Sequence, residues 1–239
     1  VEKQGNLGGN TILAKGIFGC SASSFHREKG AAETTEDHLN SYLAQYPNGD
    51  PEMLRILAEN GGKAADFLME NGGEFVALNP PYTLVPKTSV GGMVIETYRQ
   101  KLLELGVDCR VNTAGTRLLT DESGAVTGAV VSAGGVGYAI HAKAVILAAG
   151  GFAANNEMVA QYNPIYEGLD FICTPGDTGD GHRMAEEIGA ELAYMDVMKA
   201  NPFIVRDGEK HVMVGTYMNP GIVVSYEGLR VGNEHLNYA

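Results

Sequence analysis

Apolar side chains recur every three or four residues in several stretches of the chain, and this spacing predicts amphipathic helices. The clearest starts are Thr34, a capping residue followed by acidic residues, and Asp50-Pro51, where aspartate caps the helix and proline takes its first position. The glycine- and serine-rich segment before them, residues 1–30, is predicted to be a loop. The predicted helices cover residues 35–46, 51–71, 91–105, 155–162 and 182–188.

Strands are predicted where apolar residues alternate or run together. Three short strands are predicted in succession, and the turn-forming residues 121–124 join the first two. Together they predict a small antiparallel meander. Residues 144–148 are continuously apolar and end at the loop 149–151, as expected of a strand buried on both faces of a parallel sheet. A hairpin turn is predicted at residues 227–228. The predicted strands cover residues 107–111, 116–119, 126–131, 138–142, 144–148, 191–195 and 221–225.

The composition narrows the classes of function. The chain has 239 residues, 44% hydrophobic and 19% charged, which is enough for one sizeable core and part of a second lobe. A net charge of −12 with dispersed basic residues argues against nucleic acid as a partner, because that binding depends on clustered Lys and Arg. No apolar run reaches the roughly 18 residues of a spanning helix. The three widely spaced cysteines suggest neither a disulfide framework nor a metal site.

The chain starts at Val1 without Met, and its first residues resemble the end of a strand more than a signal peptide. We therefore expect further residues upstream. Glu2 is a candidate binding residue in this segment, because an acidic residue at a strand end can accept hydrogen bonds from the ribose of a cofactor. Taken alone, Glu2 is better explained as a solvated surface charge.

Seven short motifs follow one another along the chain. The first combines Glu2-Lys3 with residues 8–11, Gly-Gly-Asn-Thr, and the last is residues 228–234. Between them lie residues 112–115, 142–152, 155–158 and 178–181, and the pairs 184–185 with 189–190. In this order they resemble the fumarate reductase and succinate dehydrogenase flavoproteins, closest to the soluble flavocytochrome-type fumarate and urocanate reductases.

This resemblance implies an α/β fold, an incomplete Rossmann-like FAD-binding domain with an antiparallel β-meander, plus the start of an α+β capping domain. Residues 1–194 would form the FAD-binding part, without the N-terminal glycine-fingerprint βαβ start and the C-terminal segment. Residues 195–239 would begin the substrate-capping domain. FAD is the implied cofactor, and this chain alone is expected to bind it weakly or not at all, because the missing start supplies a helix N-terminus.

The resemblance also implies which residues contact the cofactor. Small side chains at residues 148–151 would let the backbone pass close to it. For Asp180, capping of the following helix is an equally good explanation. The implied contacts are Glu2 at the adenosine ribose; Asn10 and Thr11 at the pyrophosphate; Ala14, Lys15 and Gly16 along the ribityl chain and flavin; Thr113 and Ala114 at the adenine; Ala148, Ala149 and Gly150 along the cofactor; and Asp180 at the flavin end.

Three active-site positions depart from the family pattern. Asn201 stands in the region of a His-Pro pair, Tyr238 stands where the family has its proton-delivering arginine, and Tyr217 lies near a missing Arg-Gly element. A dicarboxylate needs Arg or His donors, so these changes argue against fumarate itself. Tyr217 or Tyr238 can replace the arginine as proton donor. The alternative for both tyrosines is packing in the capping lobe.

The implied activity is hydride transfer from reduced FAD to an activated carbon–carbon double bond of a small unsaturated molecule. The sequence does not identify the electron donor, which can be a separate protein. It does not identify the compartment either, because relatives of this kind are both cytoplasmic and exported. The runner-up is a desaturating dehydrogenase of the ketosteroid dehydrogenase type. Outside the enzymes, the alternative is a non-catalytic remnant that has lost flavin, but the small residues along each cofactor-facing loop favour the enzyme.

Overall fold

The computed structural model describes residues 1–14, 18–79, 82–198, 204–207, 210–213, 222, 224–225 and 227–230. Its helices are α1 (Ser24–Glu28), α2 (Thr35–Gln45), α3 (Pro51–Glu70), α4 (Val90–Glu104), α5 (Asn156–Tyr162) and α6 (Asp180–Glu186). Its strands are β1 (Phe18–Gly19), β2 (Phe75–Asn79), β3 (Thr83–Pro86), β4 (Thr113–Thr120), β5 (Val126–Ala133), β6 (Val136–His141), β7 (Ile204–Asp207) and β8 (Lys210–Met213). Within these residues, no helix combines the length and apolarity needed to cross a membrane.

The long helices form where their capping signals predict them. At α2, the Thr34 hydroxyl accepts from the backbone N–H of Asp37, and the Asp37 carboxylate accepts from that of Thr34. This reciprocal pair is a capping box, which satisfies two backbone donors that a helix start leaves free. At α3, the Asp50 carboxylate accepts from the N–H groups of Glu52 and Met53. The predictions of α2 to α6 are confirmed within a few residues at each end.

The first half of the chain packs α3 and α4 around a small antiparallel sheet with the strand order β1-β3-β2. Cys20, Phe25, Leu68, Leu84 and Met93 belong to its buried core. The sequence patterns missed β2, β3 and α1. β2 and β3 have only five and four residues and pair with each other, and β3 also pairs with β1 from far earlier in the chain. Strands this short contain too few residues for a clear alternating pattern.

The predicted meander is confirmed, with β5 between β4 and β6 in one antiparallel sheet. Leu118 and Val131 are its buried apolar side chains. At the predicted turn, the Asp121 carboxylate accepts from the N–H groups of Ser123 and Ala125. At the predicted hairpin turn, the N–H of Ser225 donates to the carbonyl of Leu229 across 2.8 Å.

Three predicted strands are wrong. Residues 107–111 and 191–195 lack strand structure, and so does the run 144–148, where Ile146 is 90% exposed. A strand buried on both faces of a parallel sheet requires neighbouring strands on each side. Among the described residues, no strand pairs with 144–148, so its apolar side chains face solvent.

A second apolar cluster lies beside α5. Phe152, Met158, Val159 and Met195 are its buried members. The Asn163 side-chain amide donates to the carbonyl of Met195 across 2.8 Å and ties residues around 195 to the end of α5. The domain boundary at residue 195 stays a prediction, since most residues beyond it lie outside the described part.

Candidate functional site

The first fourteen residues, which we call the strap, lie along the start of β4. The backbone N–H of Glu2 donates to the carbonyl of Arg110 at 2.8 Å, and the carbonyl of Glu2 accepts from the N–H of Thr113 at 2.9 Å. The carbonyl of Gln4 accepts from the N–H of Asn112 at 2.9 Å. These bonds fix the backbone on both sides of Lys3.

The far end of the strap folds into a helical turn, Gly9–Leu13, against the first turn of α4. The N–H of Gly91 donates to the carbonyl of Ala14 at 2.9 Å. A Cβ on Gly91 would overlap the carbonyl oxygen of Thr11, so only glycine allows this approach of two backbones. The sequence of α4 therefore determines where Thr11 and Ala14 lie.

Two segments near α6, which we call the glycine loops, are residues 149–151 and 177–181. The N–H of Gly179 donates to the carbonyl of Gly151 at 2.8 Å, and the N–H of Gly151 donates to Asp177 Oδ1 at 2.6 Å. Gly150 has a φ of 79°, and a Cβ there would lie 2.7 Å from Asp177 Oδ1. The buried Asp177 carboxylate thus joins the two loops and requires glycine at position 150.

Two side chains of the strap reach the second glycine loop and the segment just before it. Lys3 Nζ lies 2.6 Å from Asp180 Oδ2 and 2.5 Å from Thr178 Oγ1. Asn10 Oδ1 accepts from the backbone N–H of Thr174 at 2.6 Å. Lys3 and Asn10 therefore bring the strap to residues 174–180, and the bond from Gly179 to Gly151 joins those residues to the loop 149–151.

Asp180 is held by side chains. Arg183 Nη2 donates to its Oδ1 at 2.9 Å, and Thr178 Oγ1 donates to the same oxygen at 3.0 Å. Partial burial raises the pKa of the Asp180 carboxyl, but the hydrogen bonds from Lys3, Arg183 and Thr178 outweigh it and lower the pKa below its ordinary value. The N-cap of α6 is Gly179, without a side-chain hydrogen bond, so the capping role considered for Asp180 is wrong.

The other residues predicted to contact the cofactor range from buried to exposed to solvent. Thr113 is buried and its N–H donates to the carbonyl of Glu2, and both Thr113 and Ala114 pair with β5. Glu2, Ala114 and Asp180 are half-buried. The exposed positions are Asn10, Thr11, Ala14, Ala148, Ala149 and Gly150. Lys15, Gly16 and the catalytic candidates Asn201, Tyr217 and Tyr238 lie outside the described residues.

Two residues of the site were missed by the sequence reasoning. Asp177 lies three residues before Asp180 in a segment where Gly-Asp occurs twice, and this repeat was its only local signal. Lys3 was noted only as part of a motif with Glu2. Both act through contacts with distant segments, and Lys3 and Asp180 are 177 residues apart in sequence.

The wall made by the strap and the glycine loops fits an elongated, phosphate-containing cofactor. Gly9 has a φ of 46°, and no described atom lies within 4 Å of a Cβ built on it, so its backbone is open to a ligand. Glu2 Oε1 accepts from the N–H of Gln4 at 2.7 Å, which orients the carboxylate. The small side chains at 148–150 leave the neighbouring surface open. Within the described residues, no cluster of His, Cys, Asp or Glu could hold a metal ion.

Cys20 is buried and Cys173 is half-buried, and both thiols have raised pKa values. Burial raises the pKa of the Cys20 thiol to about 12. Burial and the nearby Asp177 raise that of Cys173 to about 11. A thiol with such a pKa is a poor nucleophile at neutral pH.

Comparison with known proteins matches residues 1–237 to the family described as FAD binding domain. The chain is 30% identical to "Fumarate reductase (cytochrome)" of Shewanella frigidimarina over 98% of its length and 43% of that protein. It is 34% identical to "Urocanate reductase" of Eggerthella lenta over 98% of its length and 41% of that protein. It thus spans less than half of each relative.

Solved structures show the same similarity. The open conformation of a flavocytochrome c3 fumarate reductase matches with a TM-score of 0.90 and 28% identity, over 99% of this chain and 44% of that one. A 3-ketosteroid delta1-dehydrogenase from Sterolibacterium denitrificans matches with a TM-score of 0.82 at 20% identity, over 99% of this chain and 59% of that one. The second match is informative about the fold alone.

Proposed function

The chain belongs to the FAD binding domain family, and we propose that it contributes one wall of the FAD site to a flavin-dependent oxidoreductase acting on carbon–carbon double bonds. The family match confirms both the predicted resemblance and FAD as the predicted cofactor. The observation that carries the proposal is the contact of the strap with the second glycine loop, made by Lys3 with Asp180, together with the bond of Asn10 to Thr174 just before that loop. The predicted cofactor residues are distributed along this wall.

We propose the residue roles as the sequence suggested them, with two refinements. Glu2 holds the adenosine ribose with the carboxylate oxygen that does not accept from Gln4. Asn10 serves the pyrophosphate through its backbone and amide N–H groups, because its Oδ1 already accepts from Thr174. The other positions keep their proposed contacts, and so does the division into a FAD-binding part, 1–194, and a capping part, 195–239.

When bound and reduced, FAD would supply the hydride that adds to one carbon of the double bond. The protein must donate a proton to the adjacent carbon and orient the substrate. We assign the proton donor to the phenol of Tyr238 or Tyr217 and a substrate contact to the amide of Asn201. These residues lack the positive charge that pairs with a dicarboxylate, which supports a substrate with fewer carboxylates than fumarate.

Titration with FAD tests the cofactor proposal. A complete polypeptide that carries this chain is expected to become yellow, to bleach under dithionite, and to regain its colour without oxygen when an unsaturated carboxylate is added. Urocanate and fumarate serve as probes, and visible absorbance is the measurement. We expect urocanate to reoxidise the protein faster than fumarate.

The colour assay also separates the alternatives. A protein that stays colourless at high FAD contradicts the proposal and supports the non-catalytic remnant. A yellow protein that no enoate reoxidises, but that a saturated 3-ketosteroid bleaches, supports the desaturating alternative. That alternative is kept because tyrosines at 217 and 238 suit a substrate with a carbonyl group rather than two carboxylates.

Replacing Tyr238 with phenylalanine tests the proton donor. The change removes the hydroxyl and keeps the ring, so turnover is expected to fall roughly 100-fold if the hydroxyl donates the proton. Steady-state rates with the best enoate, measured across pH, are the readout. Tyr217→Phe is the matched variant. If both variants keep normal turnover and pH profiles, neither tyrosine is the proton donor and packing explains them.

A further inference from the structure

The Lys3 side chain crosses from the strap to the glycine loop before α6. Its Nζ contacts both Asp180 and Thr178, and the two charged side chains of the ion pair are only 25% and 30% exposed. An ion pair sheltered to this degree is screened less by water and salt than a surface pair. Among the ion pairs of the described residues, it is the one in which both side chains are less than a third exposed, and it joins segments far apart in the chain.

We propose that Lys3 is a positioning residue whose ion pair with Asp180 fixes the strap against the glycine loops and so places the Glu2 carboxylate for the cofactor. The inference rests on the proposed function for its consequence, but its structural part is independent of FAD. Glu2 and Lys3 are adjacent, so weakening the strap at Lys3 is expected to loosen the backbone bonds that hold Glu2 at Arg110 and Thr113.

The contacts of Asp180 support this role. Its Oδ2 accepts from Lys3, while its Oδ1 accepts from Thr178 and Arg183, so both oxygens are engaged within the protein. Because both oxygens of Asp180 accept hydrogen bonds from the protein, this carboxylate holds Lys3 and the strap in place without a bound ligand. On the other side of the strap, the backbone of Glu2 bonds to Arg110 and Thr113. Lys3 thus provides the side-chain link, and the β4 start provides the backbone link.

The variant Lys3→Met tests the proposal, because it keeps the length of the side chain and removes its charge and donors. Hydrogen exchange of the apo protein is the first readout. The amides of Thr113 and Asn112, which donate to the strap, are expected to exchange roughly tenfold faster than in the wild type, a change of about 1.4 kcal/mol in local opening. The amide of Val131 in the meander is expected to be unchanged.

The ion pair Lys87–Glu74 offers a matched control. Its N–O distance is also 2.6 Å, but its side chains are 62% and 61% exposed and it lies away from the strap. Lys87→Met is expected to leave exchange at Thr113 unchanged. Lys3→Arg, which retains the charge, is expected to restore most of the protection that Lys3→Met removes.

FAD binding is the second readout. In the complete protein, Lys3→Met is expected to raise the Kd for FAD about tenfold, whereas Lys87→Met leaves it unchanged. Unchanged exchange at Thr113 and Asn112 in Lys3→Met would overturn the inference. If Lys3→Met shows the exchange effect while the wild-type protein binds no FAD, the proposed function is refuted and the strap link stands.

Discussion

Replacing Gly91 with alanine is expected to lower the free energy of unfolding by about 2 kcal/mol and to weaken FAD binding together with it. The new Cβ would overlap the carbonyl oxygen of Thr11, a backbone atom that no side-chain rotation can move away. Overpacking of this kind costs about 3 kcal/mol, of which the better helix propensity of alanine returns up to about 1 kcal/mol. Thermal unfolding, with an expected drop of roughly 4–8 °C, is the measurement.

The neighbouring Gly92 gives a control in the same helical turn. A Cβ there would meet only Ser89 Oγ, at 2.7 Å, which belongs to a side chain that can rotate. Gly92→Ala gains helix propensity and strains the cap that Ser89 provides, so its net effect on unfolding is expected to lie within about 1 kcal/mol of zero. Equal destabilisation by the two variants would show that the contact of α4 with the strap is not what requires glycine at position 91.

The features that could be predicted from the sequence are those whose signals are local. Asp50 followed by Pro51 begins α3 where it was predicted, and Thr34 with Asp37 begins α2, because a cap and the helix it starts lie within four residues of each other. The meander was predicted for the same reason, since its turns are short and its strands follow one another. The family resemblance depended on ordered motifs, which lie far apart in the chain; three of the segments it singled out, the strap and the two glycine loops, are joined by the bonds Lys3–Asp180 and Gly179–Gly151.

The features that could not be predicted depend on partners far away in the chain. β1 has only two residues and pairs with β3, which lies far later in the chain, so no local pattern marks it as a strand. The run 144–148 has the composition of a buried strand, but burial also requires neighbouring strands, which the described residues do not provide. Asp177 looks like an ordinary loop residue until its contact with Gly151, 26 residues away, is known.

The second large effect is expected at Gly179, where alanine should destabilise the protein by about 3 kcal/mol. Gly179 has a φ of 77°, which costs an alanine about 1–2 kcal/mol. Its Cβ would also overlap Met158 Sδ and lie 3.1 Å from Phe152 Cβ, and both of these side chains are buried. Because Gly179 bonds to Gly151, the same change should distort both glycine loops and weaken FAD binding. Thermal unfolding and FAD titration are the measurements.

Gly189, at the other end of α6, separates the two causes. It has a φ of 92°, but no described atom lies within 4 Å of a Cβ built on it, so Gly189→Ala carries the backbone strain without the overlap. We expect it to cost about 1–2 kcal/mol and to leave the Kd for FAD unchanged. If Gly189→Ala were as harmful as Gly179→Ala, strain alone would account for both, and the contact of Gly179 with Met158 would have no part in holding the glycine loops. A larger loss at Gly179, accompanied by weaker FAD binding, would instead assign the difference to packing between the glycine loops and α5.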